Sequence, residues 1–106
     1  MEKEYYFVDF KNVNDYLKVH KLLKDGLQFP WYYGANLDAL WDCLTDMVND
    51  NAVITLQNFD CLKKWDEEYA AKIFDIFVSL KHYDDDFFYD KIKIFVVEEG
   101  ITKEIV

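Results

Sequence analysis

Three aspartates spaced four residues apart, Asp38, Asp42 and Asp46, are the residues whose type and spacing point most directly to chemistry. On an α-helix this spacing places side chains on one side, so the three carboxylates would form a row. Ionised carboxylates accept charge-assisted hydrogen bonds from lysine, arginine or histidine, and two of them at this spacing could also share a metal ion. The alternative interpretation is a solvated helix face that only improves solubility.

The charge around this row is one-sided. From Asp25 to Leu62 the sequence holds six aspartates and no lysine or arginine, although the whole chain holds 12 lysines. Like charges four residues apart destabilise a helix by about 0.2–0.5 kcal/mol per pair, so helix stability does not explain the arrangement. A segregated negative field favours docking of a positively charged partner, because complementary charge steers encounter and fixes the register of the two surfaces.

An aromatic segment, Trp31, Tyr32 and Tyr33, comes shortly before the aspartates. Large aromatic side chains next to charged ones are typical of the hot spots of protein interfaces. We expect one or two of these rings to pack in the core and the remainder to extend the binding surface.

A helix that begins at Leu37 would position the three aspartates. Asn36 is predicted as its N-cap, and Gly34 allows the tight turn that leads into it. Apolar residues recur on the opposite side at the spacing of 3.6 residues per turn, which predicts the buried face. These residues are Leu37, Leu40, Trp41, Leu44, Met47 and Val48.

The remaining pattern predicts a scaffold of strands and helices. The predicted strands cover 5–10, 52–56 and 91–97. A first helix is predicted after Asn14, with Tyr16, His20, Leu23 and Leu27 on one stripe. A short helix is predicted within 58–64, and a long helix with Asp66 as its cap follows. Strands separated by helices must run parallel, and right-handed crossovers that all turn the same way place the helices on one face. The predicted fold class is therefore α/β, with two layers, a three-stranded parallel sheet and helices packed on one face. Residues 98–106 carry no firm prediction.

The ends of the helices are predicted from capping residues and charge. Asn14 is the expected N-cap of the first helix, and Gly26 is available to end it. Lys81 and His82 suit the last turn of the long helix, and the acidic run at 84–86 is expected to be a solvated loop. The buried face of the long helix is predicted to contain Ala70, Ile73, Phe74, Phe77 and Leu80.

The histidines and cysteines give little support to catalysis. His20 lies on the apolar stripe of the first helix and is predicted as a core or boundary residue, and His82 as a helix-end residue. Cys43 and Cys61 have neither a disulfide framework nor a metal-ligand spacing. We expect both to be free, mostly buried thiols, and no metal or other cofactor is predicted.

Length and composition limit the classes of function. A chain of 106 residues with 52% apolar and 19% aromatic residues is expected to form one domain over residues 1–106. A net charge of −9 without any arginine disfavours nucleic-acid binding. No apolar run has the roughly 18 residues that a membrane span needs, and the N-terminus lacks the pattern of a secretory signal. The sequence therefore predicts a cytoplasmic protein with a basic protein partner.

The segment Tyr-Tyr-Gly-Ala-Asn-Leu-Asp-Ala-Leu-Trp-Asp at 32–42 resembles the signature of the barstar family, intracellular inhibitors of barnase-type secreted ribonucleases. The order of predicted elements is also similar over nearly the whole chain. The resemblance implies a barstar-like fold and a 1:1 complex in which the loop and second helix plug the active site of a basic extracellular-type ribonuclease. It implies that Asp42 enters the cleft that normally binds the substrate phosphate, so that the row of aspartates mimics RNA. The implied contact surface consists of Tyr32, Asn36, Asp38, Trp41, Asp42 and Thr45.

The sequence departs from the family pattern at the periphery of this surface. Asp46 and Met47 replace a Gly-Trp pair after the conserved threonine, and Asp46 adds a charge to the contact surface. Ser79 occupies the position that resembles a contacting glutamate on the long helix, and Asp75 is one turn earlier. These changes bear on the choice of target.

Three functions are therefore compared. The first is a ribonuclease inhibitor, acting as an immunity protein for a toxin of the same cell. The second is a barstar-fold binding module for a different basic protein. The third is a metal-dependent hydrolase using Asp38 and Asp42. It is least favoured because the sequence has no Gly-rich phosphate loop and no Cys/His pair at a recognisable spacing.

Overall fold

The scaffold that carries the acidic segment is a four-stranded sheet with four helices. The structure is a computed structural model and describes residues 3–47, 51–87 and 91–106. The strands are β1 (Glu4–Asp9), β2 (Ala52–Gln57), β3 (Ile92–Glu98) and β4 (Ile101–Ile105). The helices are α1 (Tyr16–Leu27), α2 (Leu37–Met47), α3 (Phe59–Trp65) and α4 (Glu67–Phe87).

The sheet has the order β1-β2-β3-β4. β2 pairs in parallel with both β1 and β3, whereas β4 runs antiparallel to β3. Because α1 and α2 connect β1 to β2 and α3 and α4 connect β2 to β3, both crossovers proceed in the same direction across the sheet. Right-handed crossovers of this kind place all helices on one face, as the sequence predicts.

Buried and partly exposed side chains alternate along β2 and β3, and the buried ones form one side of the core. In β2, Ala52, Ile54 and Leu56 are buried, and in β3 the corresponding inward residues are equally buried, while the residues between them are partly exposed. The core cluster joins these strand residues to the inner sides of the helices. Its members include Val8, Leu23, Leu40, Leu44, Ile54, Ile73, Phe77, Leu80 and Ile94. The helix carrying the aspartates is therefore backed by packed side chains rather than by solvent.

The prediction of three parallel strands is confirmed, and β4 is an addition to it. Glu99 and Gly100 have φ values of 49° and 79° and form the two-residue turn between the paired residues Glu98 and Ile101. Positive φ at both central positions is what a tight hairpin between twisted strands requires. Sequence analysis missed β4 because its middle residues, Thr-Lys-Glu, are polar and exposed.

The two ends of α1 differ from the prediction. Asp15, not Asn14, is the N-cap, and its Oδ1 accepts the backbone N–H of Lys18 at 2.7 Å. The helix ends at Gln28, which takes the left-handed conformation. Gly26 lies inside the helix, where the backbone passes close to β1.

The region at the end of α4 was also predicted incorrectly. The helix continues to Phe87, so Asp84 belongs to the helix and not to a solvated loop. Its side chain is fully buried, as is nearly all of Lys81. Asp66 accepts the backbone N–H of Tyr69 at 3.0 Å, which confirms it as the cap of α4. The expectations for Val48 and for the side chains at 85–86 lie outside what the structure describes. Within the described residues, no helix is long and apolar enough to cross a membrane.

Candidate functional site

The three aspartates of α2 form an exposed row, here called the acidic ridge (Asp38, Asp42 and Asp46). Leu40, Leu44 and the other buried residues of the helix face the core on the opposite side. With a rise of about 1.5 Å per residue, successive ridge carboxylates are separated by about 6 Å along the helix axis. The predicted amphipathic arrangement of α2 is confirmed.

None of the ion pairs among the described residues neutralises the ridge. Among residues 3–47, 51–87 and 91–106, the ion pairs involve acids on other elements, and none includes a ridge aspartate. Asp25 of α1 shows the contrast, because its Oδ2 lies 2.8 Å from the Nζ of Lys21. The carboxylates of the ridge therefore remain open to cations from another molecule.

Asn36 fixes the start of α2. Its Oδ1 accepts the backbone N–H of Ala39 at 2.8 Å, and its Nδ2 donates to the carbonyl oxygen of Gly34 at 3.3 Å. Ala35, between them, takes a left-handed conformation with φ of 53°. The predicted N-cap is confirmed, and both ends of the Asn36 amide already hold the loop to the helix.

The segment before this cap is a turn, here called the aromatic turn (Trp31 and Tyr32). The backbone N–H of Tyr33 donates to the carbonyl oxygen of Pro30 at 3.0 Å, which leaves Trp31 and Tyr32 at the two central positions. Trp31 is 86% exposed and Tyr32 69% exposed. Tyr33 is partly buried and its ring packs on the buried ring of Phe29, with centroids 5.0 Å apart. As expected, one of the three rings packs against the core.

A buried hydrogen-bonded group holds Tyr33 in place. His20 of α1 is 1% exposed, its Nδ1 lies 2.7 Å from the hydroxyl oxygen of Tyr33, and its Nε2 contacts the hydroxyl of Tyr69 on α4. Burial lowers the pKa of His20 and raises the pKa values of both tyrosines. The prediction of a core histidine is confirmed, and its two hydroxyl partners could not be identified from sequence spacing.

Trp41 and Thr45 lie beside the ridge in different environments. Trp41 is partly buried, and its ring meets the edge of Tyr83 on α4 with centroids 6.0 Å apart. The hydroxyl of Thr45 donates to the carbonyl oxygen of Asp42 at 2.9 Å, within the helix. Met47 is buried and belongs to the core, so of the two departures after Thr45 only Asp46 changes the surface.

One side of α4 borders the same surface. Asp75, Ile76 and Ser79 surround a shallow depression of about 260 Å³ together with Trp41. Asp75 and Ser79 are both exposed. Asp75 therefore adds a fourth exposed carboxylate next to the row on α2, in a position that sequence analysis could suggest only from the turn spacing of α4.

The cysteines of the described residues are free, and Cys43 lies among acidic groups. Burial raises the pKa of Cys43, and the nearby Asp46 and Asp42 carboxylates raise it further, which keeps the thiol protonated and poorly nucleophilic. Cys43 and Cys61 are free and partly buried. In the described part of the chain, no group of three or more His, Cys, Asp or Glu side chains could hold a metal ion.

The structure is a small α/β fold with a mostly parallel sheet and helices on one face. Its capped helix α2 follows the aromatic turn and presents the exposed acidic ridge. Residues 4–95 match the family model described as Barstar (barnase inhibitor), and the chain belongs to this family. The match ends within β3, so β4 lies beyond it.

The chain is also 43% identical, over 68 residues, to the putative ribonuclease inhibitor YrdF of Bacillus subtilis (strain 168). That alignment covers 64% of this chain and 71% of the relative. Membership of the family supports a general role in ribonuclease inhibition.

Proposed function

We propose that this protein inhibits a basic ribonuclease of the barnase type by placing the acidic ridge in the active site of the enzyme. The observation that carries the proposal is the row of three exposed carboxylates on α2, none of which pairs with a lysine in the described residues. The match to the barstar family and the name of the Bacillus subtilis relative support the same role.

Asp42 occupies the middle of the ridge and takes the central role in this mechanism. A ribonuclease groups lysine, arginine and histidine around the scissile phosphate, and these groups can donate charge-assisted hydrogen bonds to a carboxylate as they do to a phosphate. The ridge acts as a decoy because its helix is held by the core and by the cap at Asn36. Little conformational freedom is then lost when the carboxylates are bound.

The other site residues complete the contact surface. Asp38 and Asp46 extend the negative charge on both sides of Asp42, and Tyr32 and Trp41 supply aromatic surface beside it. Asn36 and Thr45 contact the target and also stabilise α2, because their side chains form hydrogen bonds with the local backbone. We propose a 1:1 complex, since this surface occurs once among the residues that the structure describes, and a role as an immunity protein for a nuclease made by the same cell.

A titration of a barnase-type ribonuclease with this protein tests the proposal. We expect stoichiometric inhibition at a 1:1 ratio and an affinity that falls as ionic strength rises. Asp42→Ala is expected to weaken binding at least about 30-fold, which corresponds to the hot-spot threshold of about 2 kcal/mol. Asp25→Ala is the matched control, because it removes the same charge from an exposed site on α1. Unchanged affinity of Asp42→Ala for a target that the parent protein inhibits would show that the role of Asp42 is wrong.

A second candidate function keeps the same surface and changes the target. Asp46 and Ser79 depart from the family pattern at the edge of the site, and both are exposed. A basic protein without nuclease activity could then be the partner. Tight, salt-dependent binding of such a protein, together with no inhibition of barnase-type enzymes, would favour this alternative.

A further inference from the structure

The aromatic turn offers a surface that carboxylate mimicry of RNA does not use. Trp31 is 86% exposed, so almost all of its large indole side chain is in contact with water. Its only ring partner within the described residues is Tyr32, at a centroid distance of 5.7 Å and an interplanar angle of 90°. Because the two rings are perpendicular and Trp31 is 86% exposed, at least one broad face of the indole is open to a partner.

The backbone prevents the two rings from turning into the core. They occupy the central positions of the turn that the Tyr33 N–H closes on the Pro30 carbonyl oxygen. Both ends of the turn are anchored, because Phe29 before it is buried and Tyr33 after it is hydrogen-bonded to His20. The exposed rings are therefore held outward before any partner arrives, which reduces the entropy that binding would cost.

The charge of the surroundings identifies the group that would cover Trp31. No lysine or arginine occurs between Asp25 and Leu62, so sequence neighbours provide no cation. A partner that fits the acidic ridge must be basic around its cleft. Tryptophan is the best aromatic acceptor of a cation, and the planar, weakly hydrated guanidinium of arginine stacks on it better than the ammonium of lysine.

We propose that Trp31 is a further binding residue whose indole face stacks on an arginine at the rim of the active-site cleft of the target ribonuclease. This inference rests on the proposed function and adds a contact outside the ridge. The turn is joined through Gly34 and the Asn36 cap to the first turn of α2, so Trp31 extends the surface that begins at Asp38. Targets with and without an arginine at this place would bind with different strength, which makes Trp31 a determinant of specificity.

The two parts of the surface are expected to act on different properties of the complex. Long-range attraction by the ridge raises the association rate and weakens in salt. A desolvated stacking contact forms only after docking, so it mainly lowers the dissociation rate. Removal of Trp31 should therefore raise the dissociation rate about tenfold at both low and high ionic strength. The loss caused by Asp42→Ala should become smaller in high salt.

The test compares Trp31→Ala, Trp31→Phe and Asp42→Ala for binding to a barnase-type ribonuclease by surface plasmon resonance at two ionic strengths. Tyr5→Ala is the matched control, because Tyr5 is a 62% exposed aromatic residue on β1. Trp31→Phe is expected to keep most of the affinity, and Tyr5→Ala all of it. Unfolding midpoints in urea should be the same for Trp31→Ala and the parent protein, since the ring is exposed. The rim arginines of the nuclease are then replaced one at a time to identify the partner. Once the arginine that stacks on Trp31 has been replaced, Trp31→Ala should cause no further loss of affinity.

The outcomes separate this inference from the proposed function. Loss of affinity in Asp42→Ala with none in Trp31→Ala would overturn the role of Trp31 and leave the proposed inhibition intact. An effect of Trp31→Ala that no arginine replacement removes would overturn the stacking partner. Absence of binding by the parent protein to any barnase-type ribonuclease would overturn both proposals together.

Discussion

The Nδ1 atom of His20 lies 2.7 Å from the hydroxyl oxygen of Tyr33, and this contact joins α1 to the loop that leads into α2. The other ring nitrogen contacts the hydroxyl of Tyr69, so one imidazole connects two helices and the loop. A neutral imidazole can donate one hydrogen bond and accept the other. The position of the aromatic turn therefore depends on this buried histidine.

Stability should decrease below neutral pH because of His20. Burial lowers its pKa from the ordinary value of 6.5, while in the unfolded chain the pKa stays near 6.5. As pH falls below that value, the unfolded state binds the proton first, so the free energy of unfolding decreases toward the lower pKa of the folded state. The facing groups, Tyr33 and Tyr69, do not titrate in this range, because the ordinary pKa of tyrosine is 10.0 and burial raises the pKa values of both.

Urea denaturation between about pH 5 and pH 7.5 measures this dependence, since it spans the range in which histidine titrates. His20→Gln is expected to lower stability at pH 7.5 and to flatten the slope between the two pH values. His82→Gln, which changes an exposed histidine, serves as the control and should keep the slope of the parent protein. Equal slopes in His20→Gln and the parent protein would contradict this account.

The cap at Asn36 is expected to affect both folding and binding. Replacement by alanine leaves the backbone N–H of Ala39 without its acceptor and should cost about 1 kcal/mol of stability. Asn36→Ser keeps a capping oxygen and should lose only a fraction of that amount. If the cap also orders the start of the acidic ridge, affinity for the target should fall in the alanine variant and recover in the serine variant. Calorimetric titration and thermal unfolding of both variants give the two quantities.

Features set by neighbouring residues were predictable from the sequence. Asn36 caps α2 because its own side chain reaches a backbone N–H three residues later, and the same is true of Asp66 at α4. The acidic ridge follows from the helical repeat alone, as does the buried face behind it. Local patterns therefore identified the central part of the candidate site, Asp38, Asp42 and Asp46, before any tertiary contact was known.

Features set by distant contacts were not predictable in this way. Glycine is typical of a helix end, but Gly26 is required within α1 because β1 passes next to it. Asp84 belongs to an acidic run typical of loops, but its carboxylate is held by the backbone N–H groups of Lys91 and Ile92, where β3 begins. Neither requirement leaves a periodic signal, since each depends on which segments the fold brings together. The proximity of Asp75 and Ser79 to Trp41 was suggested only by the family resemblance, because no local pattern shows which helix packs beside α2.

Gly26→Ala should destabilise the protein although alanine favours helices more than glycine does. A Cβ at this position would lie 2.3 Å from the carbonyl oxygen of Phe7 and 2.9 Å from Cγ2 of Val8. The nearer atom belongs to the backbone of β1, so α1 would have to move away from the sheet. We expect a loss of about 1–3 kcal/mol, as for other overpacked sites. Urea denaturation measures it, with the exposed Lys21→Ala on the same helix as a control. An increase in stability would show that α1 can shift freely.

Asp84 ties the end of α4 to the start of β3. Its two carboxylate oxygens accept the backbone N–H groups of Lys91 and Ile92 at 3.1 and 2.9 Å. The Nζ of Lys81 donates to the carbonyl oxygen of Ile92 at 2.6 Å and lies 3.7 Å from Oδ2 of Asp84. Because Asp84 and Lys81 are 0% and 4% exposed, each charge depends on protein groups for the interactions that water would otherwise provide.

Removal of this carboxylate is expected to be among the most damaging single changes in the chain. Asp84→Ala would remove the acceptor of the Lys91 and Ile92 N–H groups and the carboxylate that lies 3.7 Å from the Nζ of the buried Lys81, at a cost of about 3–5 kcal/mol. Asp84→Asn keeps one acceptor oxygen and should cost less. Asp25→Ala, at an exposed ion pair, should change stability by no more than about 1 kcal/mol. Guanidinium denaturation of the three variants tests this order. Similar losses for Asp84→Ala and Asp25→Ala would mean that the connection between α4 and β3 is maintained by apolar packing, and that the buried pair contributes little to it.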